Sequence, residues 1–264
     1  MAESNNIISF SGGKDSTAMA LLMLENNIPI HSVVAFDTGW EFPQTYDHWR
    51  LFEEKTGLKI QVLKPKWSFN YWMFERPIIA RKGLNKGKVH RIGQGWPSPT
   101  RRWCTREKVT QIEKYKKTVD NAVSCIGIAW DEQHRAKVSD KKRYPLIEFR
   151  VTEKQALKIC RDYGFDWSGL YDIFDRVSCF CCQLQKLGNL RLLRRYYPEQ
   201  WNQMLEWDLM RPASNKGFLK YKTVHDLDRR FACEDRQTKL FYHDGPDGTR
   251  PRNSAGTGKN DVTI

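Results

Sequence analysis

Short apolar runs alternate with helix-forming stretches along the first two thirds of the chain. Residues 7–10, Ile-Ile-Ser-Phe, lead directly into Ser11-Gly12-Gly13-Lys14-Asp15-Ser16 and then into Thr17-Ala18-Met19-Ala20-Leu21-Leu22. The pattern predicts a strand, a glycine-rich turn and a helix. Residues 31–36 predict a second buried strand ending at Asp37-Thr38-Gly39, residues 43–55 a helix, and residues 59–63 a third strand. After a helix from about 107 to 117, residues 122–128 predict a fourth strand, and a fifth is expected near 144–147. Thr152 is a cap candidate for a helix running to 163. Strands and helices in this alternation imply right-handed βαβ units, hence an α/β fold with a parallel sheet flanked by helices.

Residues 80–103 break the pattern with Gly83, Gly87, Gly93, Gly95, Pro97 and Pro99 set among Arg and Lys. This predicts a basic surface loop, of the kind that often covers a site. Beyond Cys182 the chain turns helical and aromatic, over 187–197, 198–210 and about 224–231, which predicts a separate C-terminal helical appendage. From Gly245 onward it lacks the apolar content to order itself. The expected organisation is an α/β domain over 1–178, a cysteine motif with a helical region over 179–243, and a flexible tail over 244–264. No internal repeat is present. Gly256-Thr257-Gly258-Lys259 echoes a phosphate loop, but Asn260 stands in the Ser/Thr place and the earlier glycine is missing.

The length of 264 residues suits one large domain, or one domain with an appendage. With 40% hydrophobic and 28% charged residues, collagenous, low-complexity and wholly disordered classes are excluded. No run approaches the roughly 18 apolar residues of a membrane span, and the first residues hold no basic region leading into an apolar one. The expectation is a cytoplasmic protein with no membrane partner. Lys and Arg number 44 against 31 Asp and Glu, a formal +13, which favours a nucleic acid or a phosphorylated small molecule as partner; a solvated basic face is the bland alternative. Seven cysteines are too few for a disulfide scaffold, and the odd count leaves one over. Metal, cluster or redox chemistry fits them better.

The most informative segment is residues 11–16, between a predicted strand and a predicted helix. Two glycines let the backbone approach a ligand closely, and the N–H groups at the helix start, with the Ser11 and Ser16 hydroxyls, suit a phosphate or sulfate. An ordinary glycine-rich turn is the alternative. The segment matches neither the P-loop nor the GxGxxG pattern.

With this motif the chain resembles the PP-loop superfamily, and within it the phosphoadenylylsulfate (PAPS) reductase-like group, which has a Rossmann-like, adenine nucleotide alpha hydrolase-like fold. Asp37-Thr38-Gly39-Trp40-Glu41-Phe42-Pro43 resembles the family's segment after the second strand. Arg101-Arg102-Trp103-Cys104-Thr105-Arg106-Glu107-Lys108 resembles its basic cysteine-containing segment. Residues 127–135 resemble its G-x-R-x-x-E-S-x-x-R stretch, with Ala129 in place of the Arg and Gln133 in place of the Ser. The resemblance implies that Ser11, Gly12, Gly13, Asp15 and Ser16 hold nucleotide phosphates. It implies that Asp37 and Thr38 line the ribose or adenine side, that Gly127 lies opposite, and that Arg106 neutralises charge. Asp15, Lys14 and Arg135 take catalytic roles in this reading, and ATP or PAPS, with Mg2+, is the implied ligand.

Cys179-Phe180-Cys181-Cys182 holds a C-x-x-C pair, and Cys104 lies far upstream. Soft thiolates converging on one point suit an iron–sulfur cluster or zinc. In cluster-bearing sulfonucleotide reductases and phosphorothioation-type relatives, a cysteine of the basic segment and a later C-x-x-C ligate a [4Fe–4S] cluster. The resemblance therefore implies Cys104, Cys179 and Cys182 as ligands, with Cys181 or an open iron at the fourth position. Zinc, or cysteines without a metal, are the alternatives. Cys125 and Cys160 fall inside a strand and a helix and are expected in the core.

The family's reductases place a nucleophilic cysteine in a C-terminal E-C-G-L-H motif, which this chain lacks. Cys233 lies in that region, read as a partly buried helix-end residue. Arg191, Arg194, Arg195, Tyr196, Tyr197, Trp201 and Trp207 form a basic and aromatic stretch suited to nucleic acid or, as the plainer reading, to helix packing. The function expected is an ATP pyrophosphatase-type sulfurtransferase that adenylates an acceptor, tRNA or DNA among the candidates, and receives sulfur from a donor protein. A sulfonucleotide reductase and a non-catalytic nucleotide- or nucleic-acid-binding protein are the alternatives.

Overall fold

A computed structural model describes residues 4–212, 217–219 and 222–241. The expected flexible tail, including residues 256–259, lies outside the described residues. Strand β1 (Asn5–Phe10) leads into helix α1 (Lys14–Glu25), then β2 (Ser32–Phe36), α2 (Pro43–Thr56) and β3 (Ile60–Leu63). A π-helical turn, Tyr71–Glu75, precedes β4 (Pro77–Ile79) and β5 (Val89–Ile92). Helix α3 (Trp103–Lys116), β6 (Ala122–Ile126), a 3-10 turn (Trp130–Arg135), β7 (Lys142–Arg143), α4 (Pro145–Glu148) and α5 (Glu153–Asp162) follow. The remainder is helical: α6 (Leu170–Ile173), α7 (Leu187–Tyr196), α8 (Pro198–Met210) and α9 (Val224–Phe241).

Five strands form a sheet in the order β3-β2-β1-β6-β7, all parallel, as the alternation of runs predicts. β1 is central and buried on both faces, with Ile8 and Phe10 in the core. Chain progression runs from β1 outward to β3 on one side and then crosses to β6 on the other. The order therefore reverses between β1 and β6, and ligands of open α/β sheets bind beyond the carboxyl ends of the strands at such a point. α1 is apolar over most of its surface, burying Ala18, Met19, Ala20, Leu21 and Met23 between sheet and α5. α5 begins with a full capping box: the Thr152 hydroxyl accepts from Gln155 N, and the Gln155 side chain accepts from Thr152 N. Cys125 and Cys160 are buried, as expected, and the Cys160 thiol donates to Lys14 O at 3.3 Å.

Four local expectations need correction. The fifth strand is Lys142–Arg143, not 144–147; Pro145 starts a helical turn there, where a ring that fixes φ suits a helix N-terminus. Residues 80–103 are not wholly loop, because β4 and β5 form an antiparallel hairpin with its basic tip between them. α3 starts at Trp103, which is buried, so the helix takes in Cys104. α9 continues ten residues past Phe231, which places Cys233 inside a helix and exposed rather than at a partly covered end.

The C-terminal helices share one hydrophobic cluster with the sheet. Trp207 of α8 packs against Trp40 after β2 at 5.0 Å between ring centroids, against Trp96 at 6.2 Å and against Phe180 at 5.7 Å. Trp96 Nε1 donates to the buried Asp208 at 2.9 Å, which also accepts from Val224 N. Most of the basic and aromatic stretch of α7 and α8 is absorbed by this packing: Trp201 and Trp207 are buried, Arg191 pairs with Glu234, and Arg194 pairs with Asp228 and Asp235, while Arg195 and Tyr196 stay exposed. Among the described residues no helix is long and apolar enough to cross a membrane. A shared core predicts one cooperative urea transition, followed by tryptophan fluorescence and far-ultraviolet dichroism. Trp207→Ala is expected to destabilise that transition by about 3–5 kcal/mol; a second transition left unmoved would show that α7–α9 unfold apart.

Candidate functional site

The glycine-rich turn lies between β1 and α1, at the carboxyl end of the central strand. Its shape is set by side chains around it. Gly12 has φ +75°, and a Cβ there would stand 2.2 Å from the Trp49 Nε1 and 2.8 Å from Trp49 Cδ1. Trp167 Nε1 donates to Gly12 O at 2.6 Å, and Tyr171 OH accepts from Lys14 N at 2.8 Å. Ser11 Oγ lies 3.1 Å from Ser16 Oγ and accepts from Gly13 N, while Ser16 Oγ donates to Gly13 O. The turn is thus held in an open, ring-like course with N–H groups of the first turn of α1 at its rim.

Gly127, at the end of β6, faces the turn across the switch point. A Cβ on it would lie 2.9 Å from the backbone C and O of Asp15 and 3.0 Å from Ser16 N. Only a glycine permits that approach of two backbones. Ser11, Gly12, Gly13, Asp15, Ser16 and Gly127 are therefore brought together as the sequence predicts.

Lys14 departs from the expectation of a phosphate-facing catalytic group. Its ammonium is buried and lies 3.1 Å from Asp15 Oδ2 and 3.1 Å from Glu153 Oε1. It joins the turn to the start of α5. Asp15 is half-buried in the first turn of α1, and burial raises its carboxyl above the ordinary range against the pull of Lys14. Arg135 is exposed and pairs with Glu132 on the turn after β6. Arg106 is exposed in the first turn of α3, two residues after Cys104.

Trp167, Tyr171, His48 and Trp49 are not identifiable as site residues from the sequence. Trp167 and Ser168 hold left-handed backbone conformations, φ 52° and 50°, which a bulky residue adopts only when its surroundings hold it. The Trp167 ring stacks on His48 at 4.4 Å, and His48 Nε2 lies 2.9 Å from Thr17 Oγ1. Burial pushes the His48 imidazole down to about 3, so it packs as a neutral ring beneath the turn. The signal available was the pair of helix-face aromatics in residues 45–49, indistinguishable there from ordinary core.

The second half of the site is the cysteine cleft. Cys104, Cys179, Cys181 and Cys182 line one cleft, walled by Trp40, Phe69 and Arg102. The backbone joins its two sides, with Phe180 N donating to Trp40 O at 3.0 Å. Cys182 N donates to Cys179 O at 3.0 Å, closing the C-x-x-C turn, and the Gln185 amide bonds Cys179 O and Phe180 O. The position before Cys104 is held by Trp103, buried against Trp40, Phe69 and Trp72, so it supplies core packing and not a thiol.

The segment after β2 contacts the cysteine cleft. Asp37 Oδ1 accepts from Gly39 N and from Tyr46 OH. Thr38 Oγ1 donates to Glu41 Oε1 at 2.9 Å and lies 3.5 Å from Cys179 Sγ, and Cys179 Sγ donates to Glu41 Oε1 at 3.3 Å. Burial raises the Glu41 carboxyl, and burial with the neighbouring acid and thiols raises Cys179 and Cys181 well above the usual thiol range. Cys104 is raised in the same way. Cys104, Cys179 and Cys181 therefore hold their protons firmly, and a cation bound in the cleft would have to displace them. Among the described residues no three His, Cys, Asp or Glu side chains converge as a single metal ion requires. The four thiols line a cleft without converging on one point. Cys233 does not line this cleft; its sulfur accepts from Arg236 on the exposed face of α9.

A family model described as the phosphoadenosine phosphosulfate reductase domain matches residues 5–160, which run from β1 through most of α5. The chain belongs to the PAPS reductase domain family. It is 28% identical over 218 residues to an uncharacterized protein of Methanocaldococcus jannaschii, covering 74% of this chain and 39% of that protein. A second uncharacterized protein of the same archaeon is 26% identical over 211 residues, covering 75% and 46%. This PAPS reductase domain chain thus spans less than half the length of either. An uncharacterized 37.8 kDa protein of Escherichia phage 186, from the region 5′ of gpa, is 33% identical over 273 aligned residues, covering 85% and 81%. Among solved structures, PAPS reductase from Candida auris in a phosphate complex is similar with a TM-score of 0.48 and 18% identity, over 67% of this chain and 82% of that one. The U34-tRNA thiolase NcsA from Methanococcus maripaludis, with its [4Fe–4S] cluster, is similar with a TM-score of 0.38 and 15% identity, over 75% and 72%.

Two outcomes follow from the turn. Gly127→Ala must push the backbone of Asp15 away, which is expected to destabilise the fold by about 1–3 kcal/mol and to weaken ATP binding in calorimetry. His48 refuses a proton that the unfolded chain accepts below its ordinary value of 6.5, so stability falls as pH falls from 6.5 toward about 3. The loss is at most about 1.4 kcal/mol per pH unit. His48→Gln removes this component, so urea midpoints of variant and wild type should converge between about pH 6.5 and about pH 4; parallel curves would contradict a buried neutral imidazole.

Proposed function

We propose that the protein is an ATP-dependent, AMP- and pyrophosphate-forming sulfurtransferase that activates a nucleic-acid acceptor. The observation that carries the reading is the contact between the segment after β2 and the cysteine cleft, through Thr38, Glu41 and Cys179. A nucleotide seated on the turn, with its ribose or adenine against Asp37 and Thr38, would lie along the segment that Cys179 contacts.

In this reading the N–H groups of Gly12, Asp15 and Ser16 and the Ser11 and Ser16 hydroxyls bind the phosphates, and Asp15 would hold Mg2+, a hard cation that takes oxygen ligands. An acceptor oxygen attacks the α-phosphorus. The new P–O bond forms as the bond to the bridging oxygen breaks, and pyrophosphate leaves with the electron pair. Hydrosulfide from a sulfur donor then attacks the acceptor carbon and the C–O bond breaks, so AMP leaves with the oxygen. Lys14 acts by positioning Asp15 and α5, and Arg135, exposed on the turn after β6, would leave Glu132 to meet the developing negative charge. Cys104, Cys179 and Cys182 would hold a [4Fe–4S] cluster, with Cys181 beside them, and such a cluster supplies an iron at which hydrosulfide can be bound. Sulfonucleotide reduction finds no support at Cys233, which is exposed on α9 and does not line the cysteine cleft.

The test is anaerobic. Calorimetry with ATP and with PAPS should show clear preference for ATP, and AMP release in the presence of acceptor and hydrosulfide should fall at least about 100-fold in Asp15→Ala. Undiminished release, or preference for PAPS, would overturn the adenylation reading. Cys179→Ser is expected to lose iron and acid-labile sulfide from the reconstituted protein while still binding ATP.

A further inference from the structure

The positive charge of the chain is concentrated. Between Lys64 and Lys117 lie 15 of the 44 Lys and Arg but only three of the 31 Asp and Glu, so this fifth of the chain carries +12 of the net +13 and the remainder is balanced to within one charge. The segment holds the turn Tyr71–Glu75, the β4–β5 hairpin with Arg81, Lys82, Lys86 and Lys88 about its tip, and α3.

Within it is a cleft of about 380 Å³, lined by Lys66, Trp67, Tyr71, Trp72, Arg76 and Lys114. That volume lies in the range of roughly 300–1,000 Å³ typical of small-ligand sites. Trp67 is 51% exposed; its ring lies 5.1 Å from that of Tyr71, tilted by 34°, and the Lys66 ammonium lies 5.9 Å from its centre, so a flat ring that enters the cleft can pack on its exposed part beside a cation. The Arg76 guanidinium lies 3.7 Å from the centre of the Trp72 ring, and Trp72 Nε1 is buried with no hydrogen-bond partner among the described residues. Glu107, the acid of this cleft, is turned into the structure, where it accepts from Lys66 N and the Gln111 amide. The cationic groups are left facing outward around the aromatic rings.

The cleft adjoins the cysteine cleft across α3. Cys104 and Lys114 are ten residues apart on that helix, a rise of about 15 Å, and Trp103 stacks parallel on Trp72 at 6.1 Å. We infer that this cleft is a base-stacking site for a single-stranded nucleic acid, in which an unpaired base packs on Trp67 while Lys66, Arg76 and Lys114 meet the flanking phosphates. Stacking on an exposed aromatic ring inside a cationic groove is how single strands are held without regard to sequence, and a base paired in a duplex cannot reach such a ring. The inference rests on the nucleic-acid acceptor proposed above and adds where that acceptor is gripped.

The test is fluorescence anisotropy with the full chain and fluorescein-labelled single strands, one DNA and one RNA of the same mixed sequence, with the matching duplex as control. Trp67→Ala is expected to weaken single-strand binding at least about fivefold, the lower end of what one stacked base contributes, with ATP affinity unchanged. Trp67→Phe should keep most of the binding. Lys66→Ala with Lys114→Ala should lower the slope of log affinity against log salt by about 1.4, near 0.7 for each phosphate contact. Preference for either sugar supports the site and identifies the backbone of the acceptor. Single-strand binding undisturbed by Trp67→Ala, or a stronger affinity for duplex, overturns the base-stacking site and leaves the acceptor reading in place. Failure of the wild type to bind any strand removes both.

Discussion

Two backbones meet at the end of the central strands with no room for a methyl group between them. Gly127 presses on Asp15 and Ser16, and this fixes the turn after β1 against the end of β6 where the order of the sheet reverses. The rest of the site depends on that contact. It sets the direction in which α1 leaves the turn, and with it the positions of the first N–H groups of the helix. Trp167 and Tyr171 then clamp the turn from the far side, at Gly12 O and Lys14 N. The strained backbone at Trp167 and Ser168 is held by the stack on His48 and by these bonds, which is where strain of about 1–3 kcal/mol per residue is tolerated.

A second constraint joins this turn to the cysteines. Aromatic side chains from four distant segments, Trp40, Phe69, Trp103 and Trp207, form one packed block, and Cys104 and the 179–182 turn sit on its surface. Because rings pack at defined distances and angles, the thiols are carried on a rigid support and not on free loops. The C-terminal helices contribute to it through Trp207, which is why they share a core with the sheet and do not hang from it.

Much of this was legible locally. The strand, glycine turn and helix of residues 5–25 follow from an apolar run, two glycines and a helix-forming stretch in immediate succession. The cap at Thr152 follows from a hydroxyl followed three residues later by Gln155, and the core placement of Cys125 and Cys160 from the elements that contain them. The strand expected at 144–147 failed because apolar content alone does not separate a short strand from a buried helical turn, and Pro145 favours the latter. The hairpin of β4 and β5 escaped notice because its strands are only three and four residues long and mostly exposed, too short to show an alternation.

By itself the sequence determined the alternation of strands and helices, the parallel sheet and the glycine-rich turn between β1 and α1, because each rests on pattern along the chain. Only the tertiary structure decided that Lys14 faces Asp15 and Glu153, that Trp167 and Tyr171 close the turn, and that Cys179 meets Thr38 and Glu41. All but the Lys14–Asp15 pair join residues more than a hundred positions apart. Their geometry comes from how helices and aromatic rings pack on the sheet, and no local pattern of side chains encodes it.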